Sequence, residues 1–349
     1  MSDNSGKITR TEAFSVRIPY SAHLRENMLE NYRRENMDRP DYATWVVRLH
    51  TDKGLVGVGE GGPQDPRPHL ARLAGRSGWE LLHDVSAGPA VSIAVYDLAA
   101  QAAGLPVARL FSPNPRPVIQ QIWWSHCYRP ELLKAEARRG VEAGYAVHKI
   151  KARPYEDPVE QVAAVLEVVP HDYQILLDAN GSFGSPEKTL AVARALQRFP
   201  QVKGLEQPIA HEDIVGYRRI RRSLPMRLAV HWEGVDARAF VLESLVDAFV
   251  VEDWQWGPPL MQKSALCEMT GQKLWVENGL YTGISQVFQA HITSALPNVE
   301  YTISLTHIGE DDLVNEPFVV SKGGLYKVPT KPGLGVTLDE KALDKYRVA

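Results

Sequence analysis

The sequence predicts an α/β protein in which a closed barrel of parallel strands and helices follows a separate α+β domain. Three observations predict it. From Val118 onward, short apolar, β-branched runs alternate with helix-like segments. The ends of these runs recur at even intervals, as equal β/α units require. The first 110 or so residues lack this alternation and place strands before helices.

In the N-terminal part, Thr11–Pro19 reads as a strand. Ala43–Leu49 (ATWVVRL) reads as a second, with Gly54–Gly61 (GLVGVGEG) as its partner across a short turn at Thr51–Lys53. Pro68–Phe111 then carries helical periodicity, with Val91, Ala94, Val95, Leu98 and Ala99 at three- and four-residue steps. Gly104 and Pro106 end that helix.

The barrel runs are IQQIWWS from Ile119, VHKIK from Val147, QILLD from Gln174, VKGLE from Val202, RLAVH from Arg227, AFVVE from Ala248, KLWVE from Lys273 and VEYTIS from Val299. From the second run onward they end at Lys151, Asp178, Glu206, His231, Glu252, Glu277 and Ser304, at intervals of 27, 28, 25, 21, 25 and 27 residues. A strand, a loop and a helix of three or four turns need about that many. Eight such units favour a closed barrel. An open doubly wound sheet is the competing topology. No G-x-G-x-x-G follows the first barrel strand and no P-loop occurs, which removes the usual nucleotide site of the open version.

Composition narrows the function classes. The 349 residues are 44% hydrophobic and 23% charged with a net charge of -3, so no basic field attracts nucleic acid or anionic lipid. The run RRIRR at Arg218–Arg222 reads as the solvated face of a helix. Two cysteines, Cys127 and Cys267, stand in no metal-ligand spacing and are too few for a disulfide framework, which fits a reducing cytoplasm. The polar start MSDNSGKITR is not a signal peptide, and no apolar stretch approaches a membrane span. The expectation is a cytoplasmic protein with a small-molecule partner, no nucleic acid and no membrane.

In a parallel barrel all C-terminal strand ends share one rim, where chemistry is found. Here that rim receives two lysines, several carboxylates and a histidine, residues seldom buried unless paired or metal-bound. Lys149 and Lys151, two apart on a strand, share a face. Like charges depress each other's pKa, making one lysine a usable base near neutral pH. The plainer alternative is two lysines snorkelling from a strand end. Asp178 and Glu206 end the next two strands and supply hard oxygen donors suited to Mg2+. Each acid is also suited to capping the helix that follows it.

These residues carry a resemblance to the enolase superfamily, in its mandelate racemase/muconate lactonizing enzyme group, over nearly the whole chain. Gly144-Tyr145-Ala146-Val147-His148-Lys149-Ile150-Lys151 resembles that group's K-x-K strand, Asp178-Ala179-Asn180 its D-x-N strand, and Glu206-Gln207-Pro208 its E-Q-P strand. Ala94–Asp97 with Gly104-Leu105-Pro106, and Lys331–Leu338, resemble the close of its capping domain and its C-terminal segment. The resemblance implies a (β/α)7β-type TIM barrel at 116–324 and an α+β capping domain at 1–115 to which 325–349 contributes. It implies a homo-oligomer, and Mg2+ holding a substrate carboxylate while its α-proton leaves to give an enediolate. Lys151 is then the base, Lys149 its pKa-tuning neighbour, and Asn180 lies on the metal side in contact with substrate.

The pattern is broken at the fifth strand end, where the family has a third carboxylate. Here the sequence reads Val230-His231-Trp232-Glu233-Gly234. Either His231 or Glu233 can be the third ligand, and His231 is equally suited to a hydrogen-bonded structural or substrate-contacting role. Oxygen suits Mg2+ and favours Glu233, whereas imidazole suits Mn2+ or another transition ion. No opposing His-Asp pair or sixth-strand lysine is visible; Glu252-Asp253 and Glu277-Asn278 stand there instead. Two facing carboxylates raise one pKa, so Glu252 and Glu277 are candidate general acids. They and Asp253 are equally candidates to bind a cationic or polyhydroxy substrate, or to form structural pairs.

Trp123, Trp124, His126 and Tyr128 cluster at the first strand end. The tryptophans read as core and His126 as a substrate contact, with Trp254 and Trp256 as candidate pocket walls. The Arg-rich segment Ile18–Asp41 resembles the loop that closes over substrate, offering Tyr20 or Arg25 as specificity residues. Lysine on one side and only carboxylates on the other favour β-elimination from a hydroxy acid. Racemisation, epimerisation or cycloisomerisation is the alternative within the same half-reaction. Two readings compete from outside it: a non-catalytic descendant that binds a small acid or a partner, and a metal-free enzyme using Lys151 as a Schiff-base amine.

Overall fold

The computed structural model describes residues 6–252 and 256–348. Strands β1 (Ile8–Ile18), β2 (Tyr42–Thr51) and β3 (Val56–Glu60) form an antiparallel meander. The turn at Thr51–Gly54 joins the last two, where Thr51 and Leu55 close the hairpin. Helix Pro89–Ala103 lies against this sheet and ends at Gly104, whose φ of 67° only glycine adopts without strain. Its close approach depends on Gly57 and Gly59: a Cβ there would stand 2.2 Å from the Ala94 carbonyl oxygen and 2.1 Å from that of Ala90. Ile8, Val47, Leu49, Val91, Ala94 and Leu98 fill the space between.

Eight strands then run parallel. They are β4 (Val118–Ser125), β5 (Val147–Lys151), β6 (Gln174–Asp178), β7 (Val202–Glu206), β8 (Arg227–His231), β9 (Ala248–Val251), β10 (Lys273–Val276) and β11 (Val299–Ile303). They pair in chain order, and β11 pairs with β4 through Thr302↔Gln121 and Ile303↔Ile122, which closes the barrel. The strands begin and end as the alternation of the sequence requires, and the open-sheet alternative is set aside. Among the described residues seven helices fill the gaps, and local chemistry starts four of them: Asp157, Ser185, Asp213 and Asp236 cap their N-termini by accepting backbone N–H bonds.

Near the C-terminus, β12 (Leu325–Lys327) pairs antiparallel with β4, and β13 (Arg347–Val348) adds to β1. Asp97, buried in the long helix, accepts from the backbone N–H of Val58 and Leu334, tying the N-terminal sheet to the C-terminal segment. RRIRR lies on helix Ile214–Ser223, where Arg218 and Arg221 pair with Glu243 and Asp247 at the surface. No helix among the described residues is long and apolar enough to cross a membrane.

Candidate active site

Register brings the charged strand ends together. Lys151 lies opposite Asp178, and Asp178 opposite Glu206, so three successive strands finish level at one rim. Glu206 pairs with Ala229, which makes His231 the next residue of β8 on that face, one pleat beyond. Glu252 and Glu277 follow directly on β9 and β10.

The Lys149 side chain is wholly buried. Its Nζ stands 3.1 Å from Asp178 Oδ2 and 2.7 Å from Glu206 Oε2, and it also donates to Glu277. Lys151, 14% exposed, reaches the cavity. Its Nζ donates to Asp178 Oδ2 at 2.5 Å and to Asn180 Oδ1 at 2.8 Å. Burial favours the uncharged form of both lysines, but the outcomes differ. For Lys149 the adjacent Asp178 and Glu206 outweigh burial and hold its pKa above the ordinary value. For Lys151 burial, helped by the charge of Lys149 and only partly offset by Asp178, leaves the pKa lowered. Asp178 is held well below the usual carboxylate range: Lys149 and Lys151 overcome the burial that would raise it.

His231 stands between two acids, with Nε2 3.1 Å from Glu206 Oε1 and Nδ1 3.3 Å from Glu252 Oε1. Burial alone would lower its pKa; contacts with Glu206 and Glu252 raise it to about 9. Asp178, Glu206, His231 and Glu277 each offer one donor atom, all within 4.8 Å of one another, so the group can hold a metal ion.

Several sequence-based assignments change here. Glu233 is not in the donor group; it faces Lys263 at 3.5 Å. Glu252 and Glu277 are engaged by bases, His231 and Lys149, rather than by each other. The expected rise in a carboxylate pKa therefore does not arise at Glu252. Burial would raise it, but His231 and the two lysines hold it below its ordinary value. Tyr20 is buried in the core, its hydroxyl bonded to the Arg39 carbonyl, and Arg25 pairs with Glu310; neither lines the cavity. Trp256 packs on Phe288 away from it. Trp123 stacks on His307, whereas Trp124 and His126 do line the cavity. Burial, with Arg153 and Lys151 nearby, holds His126 well below its ordinary pKa and hence neutral. Asp253 and Trp254 lie outside the described residues.

The cavity, of 1290 Å³, opens between the rim and the N-terminal part, which contributes Glu35, Arg39 and Gly61–Asp65. Sequence reasoning missed Arg153 and Glu35. Arg153 donates to Glu35 Oε1 at 2.7 Å, to Asn180 Oδ1 at 2.7 Å and to the Asp178 carbonyl at 3.2 Å. The alternation Lys149, Lys151, Arg153 was the signal for the first; Glu35 had none. Asn180 adopts φ 42°, a left-handed turn that Asn tolerates, and its N–H bonds Asp178 Oδ1 at 3.0 Å.

A lysine pair and a carboxylate group on successive barrel strand ends, roofed by an antiparallel N-terminal sheet, define an enzyme of the enolase type. Residues 132–342 match the family described as enolase C-terminal domain-like. The chain belongs to that family and stands with the mandelate racemase/muconate lactonizing enzyme group of the enolase superfamily. It is 27% identical to the D-gluconate dehydratase of Thermoproteus tenax, over 74% of this chain and 55% of that protein. It is 23% identical to the N-succinyl-L-Arg/Lys racemase of Bacillus cereus over 98% of each. The crystal structure of that racemase superposes with a TM-score of 0.82, at 22% identity over 98% of each chain. The dipeptide epimerase of Enterococcus faecalis, complexed with Mg and L-Leu-L-Tyr, superposes at 0.78 with 21% identity over 95% and 99%. These relatives are lyases and isomerases, and the chain is an enzyme of that range.

Proposed function

We propose that this enzyme removes the α-proton of a small carboxylate substrate through an enediolate, with Lys151 as the base, and completes a β-elimination of water from a hydroxy acid. The observation that carries the reading is the convergence of Lys151, Asp178 and Glu206 at the ends of three adjacent strands, where Lys151 lines the cavity and the two buried acids stand behind it. Four carboxylates (Asp178, Glu206, Glu252 and Glu277) face two ammonium groups there, an excess of two negative charges that falls to one while His231 holds its second proton. That donor set fits a divalent cation, held by Asp178 and Glu206. When bound, the cation supplies the Lewis-acid charge that a substrate carboxylate needs as it gains a second negative charge.

The chain's own groups do the rest. Lys151 is held at the wall by Asp178 and Asn180, and its lowered pKa leaves a larger neutral fraction to take the proton. Lys149 stays charged and adds a fixed positive charge beside the developing dianion. Arg153 and Lys151 share Asn180 as acceptor, which fixes their spacing. Since Glu252 and Glu277 are engaged by bases, the proton taken by Lys151 is the one returned to the departing hydroxyl on the same face. Single-residue proton transfer suits elimination, whereas racemisation needs a donor on the opposite face, and Glu252 and Glu277 are already paired.

The test is turnover of a panel of acid sugars, N-acyl amino acids and dipeptides by protein treated with EDTA and then resupplied with divalent metal. A metal-dependent 2-oxo product, formed from the 2,3-dihydroxy acids of the panel by loss of the 3-hydroxyl and trapped as its semicarbazone, is expected. Racemisation or epimerisation is the second reading, favoured by the end-to-end match with the racemase. It would show as loss of optical rotation with no new carbonyl. Metal-independent turnover would contradict both.

A further inference from the structure

We propose that the cation site is a mixed nitrogen–oxygen site in which His231 Nε2 is a ligand, oriented by Glu252, and that it favours a borderline transition ion such as Co2+ or Zn2+ over Mg2+. The proposal rests on the reading above that a divalent cation binds beside Lys151.

Four observations carry it. First, His231 ends β8 on the same face as Asp178 and Glu206, so an imidazole arrives where the neighbouring strands bring carboxylates. Second, its buried Nε2 makes no hydrogen bond of its own, although Glu206 Oε1 is 3.1 Å away; it sits beside that oxygen as a second donor to a shared centre. Third, Glu252 stands on the far side of the ring at 3.3 Å from Nδ1. A carboxylate there keeps a proton on Nδ1, so a cation that displaces the Nε2 proton would meet that nitrogen on the side of Asp178, Glu206 and Glu277, an arrangement in which metal-ligating histidines are generally held. Fourth, the competing oxygen donor is turned elsewhere: Glu233 faces the ammonium of Lys263, which also lies over the Trp232 ring.

The preference follows from the donor. Mg2+ demands oxygen and holds its waters tightly, whereas an imidazole nitrogen gains affinity along the first transition series. Glu252 is thus a positioning residue, acting through His231.

The experiment uses the full chain stripped with EDTA. Calorimetric titration with CoCl2 and MgCl2 gives the ratio of the two affinities, and replacing the ring by an oxygen donor in His231→Asp should lower that ratio about tenfold or more. Glu252→Gln should weaken Co2+ binding about tenfold while His231 remains a ligand. Pulsed EPR of the Mn2+-loaded wild type should show coupling to one imidazole nitrogen, a readout that needs no variant to fold; His231→Asp should lack it. Mn2+ bound without nitrogen coupling, or a Co2+/Mg2+ ratio unchanged in His231→Asp, overturns this assignment alone. Failure of the wild type to bind any of these ions overturns it together with the proposed function.

Discussion

Lys149→Met removes the charge of a buried ammonium while keeping much of its volume. In the native chain this group has no exposed surface and touches Asp178, Glu206 and Glu277. The substitution leaves Asp178 to Lys151 and Glu206 to His231, and of the three acids only Glu277 has water in reach at the cavity. Removing one partner of a buried ion pair costs about 3–5 kcal/mol, because the remaining charge stays desolvated. At about 1.4 °C per kcal/mol for a chain of 349 residues, the unfolding midpoint in EDTA should fall by roughly 4–7 °C. A divalent cation should then stabilise the variant more than the wild type, because it no longer shares the carboxylates with an ammonium. Differential scanning calorimetry with EDTA and with saturating divalent metal measures both effects. A midpoint in EDTA equal to that of the wild type would refute the reasoning. So would equal stabilisation of both proteins by the metal, since the ammonium would then lie outside the cation's carboxylate cage.

Three further outcomes are expected. Glu60 of β3 is fully buried, accepts from Thr282 and Ser285 at the start of helix Gly283–Ser294, and has its pKa raised by burial to about 7 from 4.5. The folded state therefore holds a proton that the unfolded state has lost between those values. The resulting stability is present below about pH 4.5 and lost as pH rises through about 7, amounting to roughly 3 kcal/mol. Urea unfolding of Glu60→Gln across that window should lack the fall. Asn180→Ala removes an oxygen that accepts from the Lys151 ammonium at 2.8 Å; losing it disfavours the charged form, so the acidic limb of the rate profile should move to lower pH. Glu233→Ala should leave divalent affinity in calorimetry within about twofold of the wild type, since the carboxylate faces Lys263 instead.

The rim of the barrel was legible because each apolar run is broken at its end by a charged residue, and parallel pairing brings such ends level. Lys151, Asp178 and Glu206 lie side by side for that reason. The same rule failed one step later. Side chains alternate only while the chain is a strand, and β8 stops at His231; beyond it the backbone turns and carries Glu233 toward Lys263. The partnership of Glu277 with Lys149 spans 128 residues and the width of the barrel, so no local pattern encodes it. Segment 18–41 looked irregular by its charge, yet Leu24, Met28 and Tyr32 recur every four residues and are the buried face of helix Arg25–Arg34. Arginines on the solvent side masked that stripe. Glu35 and Arg39 reach the cavity from the turn that follows, where no periodicity applies.

The central claim is that the amine of Lys151 takes a proton from the carbon next to a carboxylate. The most direct measurement is proton NMR of α-hydrogen loss in D2O, using whichever panel acid the metal-loaded wild type processes, with wild type and Lys151→Ala compared at equal metal occupancy. With the wild type the α-hydrogen signal should disappear, deuterium entering the α-position of recovered acid or C3 of a 2-oxo product, at a rate lowered by about a hundredfold or more in the variant. Undiminished exchange in the variant would contradict it.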